Sequence, residues 1–175
     1  MDSAEPMLIY TYPEPVLRER ARPVENIDDD VLDLIDRMAV TMYAAPGIGL
    51  AANQVGRTKR VVIYDLTPRE EGRNLHVLIN PEIVLAEGET TYEESCLSVV
   101  DYSAEVRRNA RVKVQGVDRD GNPVDVEADG LLAICLQHEI DHLNGTLYID
   151  HISNLKRALY KKKAKKLLKK NEPSG

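Results

Sequence analysis

The sequence predicts an α+β fold, with mixed or antiparallel β-sheets packed around a central helix that carries HEIDH, plus an N-terminal and a C-terminal helix. Three observations predict it. An acid-led segment with helical spacing comes early, alternating or β-branched segments fill the middle, and an apolar helix-forming run comes late. Strands clustered ahead of a late helix are the pattern of a helix laid on a sheet. At 175 residues the chain suits one domain with one sizeable core. We expect a body over residues 1–153 and a Lys-rich C-terminal helix or tail over 154–175 that is not a separate domain.

Each element has its own signal. Pro13, Pro15 and Pro23 make residues 11–30 extended or turn-like. Asp28, Asp29 and Asp30 then precede Val31, Leu34, Ile35, Met38 and Met42. That is helical spacing, with acids at the end where the helix dipole favours them. The helix should stop near Pro46-Gly47. RVVIYD (60–65) and LHVLIN (75–80) are apolar and β-branched, and Pro81 follows the second. VKVQGVD (112–118) and VDVEA (124–128) alternate on either side of a turn containing Asp120-Gly121, which reads as a hairpin. Asp129 is the expected N-cap of a helix over 130–144, with Gly145 as its stop. Ser153 is the expected cap of the last helix.

Hydrophobic residues at 43% and charged residues at 30% place the chain among soluble globular proteins. No Trp or Phe is present, so the core must rest on Leu, Ile, Val, Met and Tyr. Apolar runs fall far short of the roughly 18 residues that span a bilayer, and the acidic start MDSAEPMLIY lacks the pattern of a signal peptide. A cytoplasmic protein is the expectation. Two cysteines, Cys96 and Cys135, are too few for a disulfide framework. The formal net charge is −6, yet residues 151–175 hold nine Lys and Arg against Glu172, a local +8 that leaves −14 on residues 1–150. An acidic body with a basic tail raises the question of an anionic partner for the tail.

HEIDH (138–142) has the H-E-x-x-H form. His138 and His142 are four apart and share one helix face, so both imidazoles can reach one metal ion. Glu139 lies about 100° around the helix, better placed to act on water at such an ion than to be a ligand. The same residues would also suit the polar face of an ordinary helix. A catalytic ion of this type wants a third protein ligand and one open position. Cys135 and His142 are seven residues apart, about 10.5 Å along the axis. One ion would hardly be reached by both, so Cys135 in LLAICL reads as a small buried hydrophobe. Cys96 lies in TYEESCLSV (91–99), where Glu93, Glu94, Ser95 and Ser98 argue against a deep apolar site. Its thiolate would complete a Cys/His/His set. GIGLAANQVG (47–56) offers small residues that let backbone approach closely, then Gln54 with amide donors suited to a developing oxyanion.

Taken together, GIGLAANQ (47–54), ESCLS (94–98) and QHEIDHLNG (137–145) resemble, in order, the three motifs of the peptide deformylase family. YTYPEPVLRERARPV resembles the family's opening strand and turn, and the likeness covers roughly residues 7–155. It implies a metal-dependent hydrolase that removes the formyl group from the N-terminal methionine of nascent polypeptides, with residues 1–153 as the catalytic domain. Cys96, His138 and His142 would bind one divalent ion, usually Fe(II) in the family, with Zn, Ni or Co able to substitute. Glu139 would take the proton of the attacking water and pass it to the leaving amine. Gln54 and the backbone N–H of Leu97 would stabilise the oxyanion. Ile48, Leu131, Ile134, Cys135 and His138 would line the methionine pocket, with Gly49 and Ser95 beside the substrate. Two positions depart from the family's pattern. Ser95 stands where Gly is usual, and Val100 where Pro is usual.

KRALYKKKAKKLLKK (156–170) is strongly helix-forming, and Leu155, Ala158 and Leu159 are the residues expected to pack on the body. It reads either as a solvated, partly frayed helix or as an attachment to ribosomal RNA, since Lys clusters bind phosphate backbones without reading sequence. Neither DNA nor a membrane is an expected partner. Two rival readings are a zincin-type protease, whose third ligand would lie downstream of His142, and an inactive deformylase-like ribosome-binding module.

Overall fold

The computed structural model describes residues 4–171. Its elements are α1 (Asp29–Ala44), β1 (Gly49–Ala51), β2 (Val61–Tyr64), β3 (His76–Glu87), β4 (Thr90–Cys96), β5 (Val99–Arg108), β6 (Arg111–Val117), β7 (Pro123–Asp129), α2 (Gly130–Leu143) and α3 (Asn154–Asn171). Five strands form one antiparallel sheet in the order β1-β2-β3-β6-β7, while β4 and β5 form a separate two-stranded hairpin. The predicted α+β architecture is therefore present, with every strand pair antiparallel.

The first helix forms as its residues dictate. Asp28 caps it, its carboxylate accepting from the Val31 N–H at 3.1 Å. Val31, Leu34, Ile35, Met38 and Met42 are all buried and pack on Leu50, Val61, Ile63 and Ile79 of β1, β2 and β3. The second helix lies at the centre. Ala133, Cys135, Leu136 and Ile140 face Val112, Val114 and Leu78 of the five-stranded sheet, and Leu143 meets Ala51 and Val62. A third cluster joins Val99, Ala104 and Val106 of the hairpin to Leu147, Tyr148 and Ile149 after α2 and to Tyr160 and Ala164 on α3. The histidine-bearing helix is thus held between the large sheet and the hairpin.

Two local expectations need correction, a third holds in position only, and one pair of strands was not foreseen. The strand expected to stop before Pro81 continues to Glu87. Asn80 adopts φ 54° and the register shifts between Ile79 and Glu82, so Pro81 sits in a bulge where its missing N–H breaks no ladder bond. Asp129 occupies the N-cap position of α2 but makes no side-chain cap bond; its backbone still pairs with Arg111 in the sheet. Leu155, Ala158 and Leu159 do not pack on the body. They are exposed, and the docking face of α3 is instead Tyr160 and Ala164, with Arg157 and Leu167 half-buried. Finally, β4 and β5 have no counterpart in the sequence reading. Ser153 does cap α3, its hydroxyl accepting from the Lys156 N–H at 3.2 Å. Glu172, part of the basic-tail count, lies outside the described residues.

Candidate metal centre and active site

The helical spacing of HEIDH brings His138 Nε2 and His142 Nε2 to 3.2 Å on the face of α2 that meets the hairpin. The hairpin delivers Cys96, whose Sγ lies 3.3 Å from His142 Nε2. All three ligand atoms lie within 4.8 Å of one another. Donor atoms roughly 2.0–2.3 Å from one tetrahedral ion stand about 3.4 Å apart, so this spacing fits a single divalent ion. The donor set fits too, because a thiolate with two imidazoles suits borderline-soft ions. His138 is oriented from behind, since its Nδ1 lies 2.8 Å from Glu94 Oε1, which points Nε2 into the site. His142 Nδ1 is buried with no hydrogen-bond partner among the described residues. The histidines are driven apart electrostatically. Burial lowers both, but Cys96 and Glu94 outweigh it and raise His138, while the His138 charge lowers His142 further. Two like groups crowded on one point behave in this way.

Arg108 has no place in the sequence reading, and Glu94 enters it only as one of the polar neighbours of Cys96. Arg108 Nε and Nη2 donate to the two Glu94 oxygens at 2.8 and 2.9 Å, and Nη1 donates to Asp141 Oδ2 at 2.6 Å. Burial pushes the Glu94 carboxyl up, but the bonds from Arg108 and His138 win and hold it at about 2. The acids and serines around Cys96 are therefore not all solvated. Glu94 and Ser98 are buried because each has a partner. The available signal was the alternation of Ala104, Val106 and Arg108, which puts an arginine on the inward face of a strand.

Glu139 is buried beside His138, and its Oε1 has no hydrogen-bond partner among the described residues. Burial lifts its pKa to about 7 against the pull of His138 and Arg108. Gly49 accommodates it: a Cβ there would meet Glu139 Oε2 at 2.6 Å and Cys135 Sγ at 2.9 Å. Gln54 is held behind Cys96. Its Oε1 accepts from the Ala51 N–H at 3.0 Å, and its Nε2 donates to Ser98 Oγ at 3.1 Å while lying 3.6 Å from Cys96 Sγ.

Cys96, His138 and Glu139 open onto a cavity of about 400 Å³. Ile48, Leu131, Ile134 and Cys135 line it, as do Gly49, Ser95 and Leu97, so these predicted residues share one wall system. Pro46, Gly47, Tyr92, Glu93 and Glu94 line it as well and were not predicted. Ser95 is exposed on that wall; Val100 is exposed elsewhere, beside Tyr12 and α3. Cys135 is buried and outside the ligand cluster. His151, the only downstream histidine, lies 2.9 Å from Asp141 Oδ2 and is not part of that cluster, so the zincin reading finds no third ligand among the described residues.

Residues 6–158 match the family model for polypeptide deformylase. The peptide deformylase of Syntrophobacter fumaroxidans is 54% identical over 161 residues, covering 92% of this chain and 95% of that protein. That of Mesorhizobium japonicum is 53% identical over 170 residues, covering 97% and 96%. Among solved structures, a peptide deformylase from Legionella pneumophila superposes with a TM-score of 0.88 at 41% identity, covering 96% of this chain and 99% of that one. One from Ehrlichia chaffeensis in complex with actinonin gives 0.87 at 39% identity, covering 93% and 97%. With a family match over most of its length and relatives of this similarity, the chain belongs to the polypeptide deformylase family.

Proposed function

We propose that this chain hydrolyses the formamide bond of N-formylmethionyl nascent polypeptides, releasing formate and a free methionyl N-terminus. One observation carries the reading: a thiol and two imidazoles converge on one point, beside a buried carboxylate oxygen that has no partner among the described residues, at the end of a cavity with apolar walls.

Cys96, His138 and His142 would hold the ion. When bound, it supplies a Lewis acid for the formyl oxygen and brings the pKa of water towards neutrality. Glu139 accepts the proton of the attacking water and returns it to the departing amine. Its lifted pKa suits a group that must both take and give a proton near neutral pH. Gln54 Nε2 spends one hydrogen on Ser98, and the hydrogen aimed at Cys96 turns to the oxyanion, joined by the Leu97 backbone N–H. Ile48, Leu131, Ile134 and Cys135 receive the methionine side chain, while Gly49 and Ser95 flank the peptide backbone. Fe(II) is the ion we assign, with Zn, Ni or Co as substitutes.

Residues 1–153 are read as the catalytic domain and 154–175 as an appended helix. Among the described residues no helix is long and apolar enough to cross a membrane, and we place the protein in the cytoplasm. The exposed Lys161, Lys162, Lys165 and Lys166 of α3 support a ribosomal RNA contact.

The test is formate release from formyl-Met-Ala-Ser by the anaerobically Fe(II)-loaded chain. Glu139→Ala should keep its metal and lose about 10²–10⁴-fold in kcat. Turnover at the wild-type rate would remove Glu139 from the role of base. No turnover by the correctly folded, metal-loaded wild type would favour the binding-module alternative.

A further inference from the structure

We propose that Arg108 is a positioning residue for the metal centre: it straps the hairpin that carries Cys96 to the helix that carries His138 and His142, and so sets the spacing of the three ligands. The proposal rests on the metal reading given above.

The need for a strap follows from topology. Among the described residues the β4–β5 hairpin pairs with no other strand, so no β-ladder fixes its position over α2. Yet the site draws its sulfur from the hairpin and its nitrogens from the helix, and metal–ligand distances tolerate only about 0.2 Å. Apolar contacts of Val99 and Val106 with Leu147 and Ile149 press the hairpin down, but burial of this kind has no direction.

Directional bonds hold the hairpin too: the Tyr12 N–H donates to the Ser98 carbonyl at 2.7 Å, and Gln137 of α2 exchanges bonds of 3.0 and 3.1 Å with the backbone of Asn109, just past β5. Arg108 adds a tie that ends beside ligands of both elements. It is the last residue of β5, and its side chain is only 5% exposed. Glu94, which it grips with two parallel bonds of 2.8 and 2.9 Å, lies two residues before Cys96. Asp141, which it reaches at 2.6 Å, immediately precedes His142. One planar guanidinium therefore ends, on both sides, next to a ligand. The oxygen of Glu94 that receives Nη2 also faces His138 Nδ1 at 2.8 Å, so the remaining ligand is tied to the same group. On the outer side His151 Nε2 shares Asp141 Oδ2 at 2.9 Å and closes the chain towards solvent. A rigid fork holds two carboxylates at fixed angles; the ammonium of a lysine, a compact point charge, would not.

The experiment uses the full chain loaded with Co(II). It measures the thiolate-to-cobalt absorption band, ion retention against a chelator, kcat, KM and the thermal midpoint. Wild type must show the band; its absence would sink the metal reading itself, whatever Arg108 does. Given the band, folded Arg108→Gln and Arg108→Lys should retain the ion about 10- to 100-fold less tightly. Their bands should shift, and kcat should fall with KM nearly unchanged, because no wall residue is altered. Retention and band like wild type in folded Arg108→Gln would overturn the proposal. If Arg108→Gln does not fold, Asp141→Asn, which leaves the Glu94–Arg108 pair intact, decides. Weaker retention supports the strap, and wild-type retention overturns it.

Discussion

A single methyl group at residue 49 separates the position of the base from the stability of the fold. The Cβ of an alanine there would lie 2.6 Å from Glu139 Oε2 and 2.9 Å from Cys135 Sγ. The carboxylate is the far end of a flexible side chain and can swing aside, and the buried Cys135 sulfur must give by a smaller amount, so the base takes most of the displacement and the fold a little of it. Gly49→Ala should therefore lower kcat by about 100-fold, the scale of a 1 Å misplacement. Metal content should be unchanged and the thermal midpoint shifted by only a few degrees. A kcat equal to wild type would overturn the expected displacement of the carboxylate. This constraint was half legible. The sequence marks residue 49 as a place where something comes close, but not that the neighbour is a carboxylate 90 positions on. The HEIDH pair was legible because helical geometry alone brings two residues four apart together. Cys96 was not deducible from spacing; the residues only left room for a thiolate from another segment, and the resemblance named it. Glu94 was legible only as a sign against a deep apolar site around Cys96, because the arginine that allows its burial is 14 positions away.

Elements were legible where one face of one segment carries the whole signal. The stripe of α1 is such a case, since each of its five apolar positions is buried. The hairpin was not, because β4–β5 turns one face to solvent and places Arg108 on the other, which interrupts the apolar alternation. The tail helix shows the same difficulty in reverse. Leu155 and Leu159 look like its docking face, yet they are 72% and 60% exposed, while Tyr160 is 2% exposed. The Tyr160 ring packs at a tilt on Tyr12 and Tyr102, with centroids 5.6 and 4.8 Å away, and its compact neighbour at i+4, Ala164, is buried with it. Tyr160→Ala should cost about 3 kcal/mol in urea unfolding, the range for removing a buried aromatic side chain. Leu159→Ala should fall within about 0.5 kcal/mol of wild type, because little packing is lost and alanine is an excellent helix former. A larger loss at Leu159 than at Tyr160 would mean that the helix docks through its other face.

At the scale of the whole molecule, acid stability is set by carboxylates that tie separate parts of the chain together. Asp65 is the clearest. It accepts from the Tyr43 hydroxyl on α1 at 2.6 Å, and from the Thr67 and Asn74 N–H groups of the connection between β2 and β3 at 2.9 and 2.8 Å. Its own N–H donates to Ile48 on the cavity wall at 2.8 Å. Burial raises the carboxyl, but these hydrogen bonds outweigh it and bring the pKa from 3.8 down to about 2. The sign follows directly. Folding favours the ionised form, so the stabilisation is complete well above 3.8 and disappears as the pH falls towards 2. Between neutrality and that window, protonation of other acids first reduces the self-repulsion of a body that carries −14, so stability there should hold or rise slightly. Glu94, also depressed to about 2, falls in the same acid window, and acid also releases any bound ion. Wild type alone therefore cannot assign the loss. The difference between wild type and Asp65→Asn does, because both proteins share every other titrating group. Urea midpoints measured from pH 7 to pH 2 should show a constant advantage for wild type down to about pH 4.5, shrinking steadily below it. An advantage that stayed constant to pH 2 would show that the Asp65 charge contributes nothing, and that its carboxylate is only one more acceptor among the loops it joins.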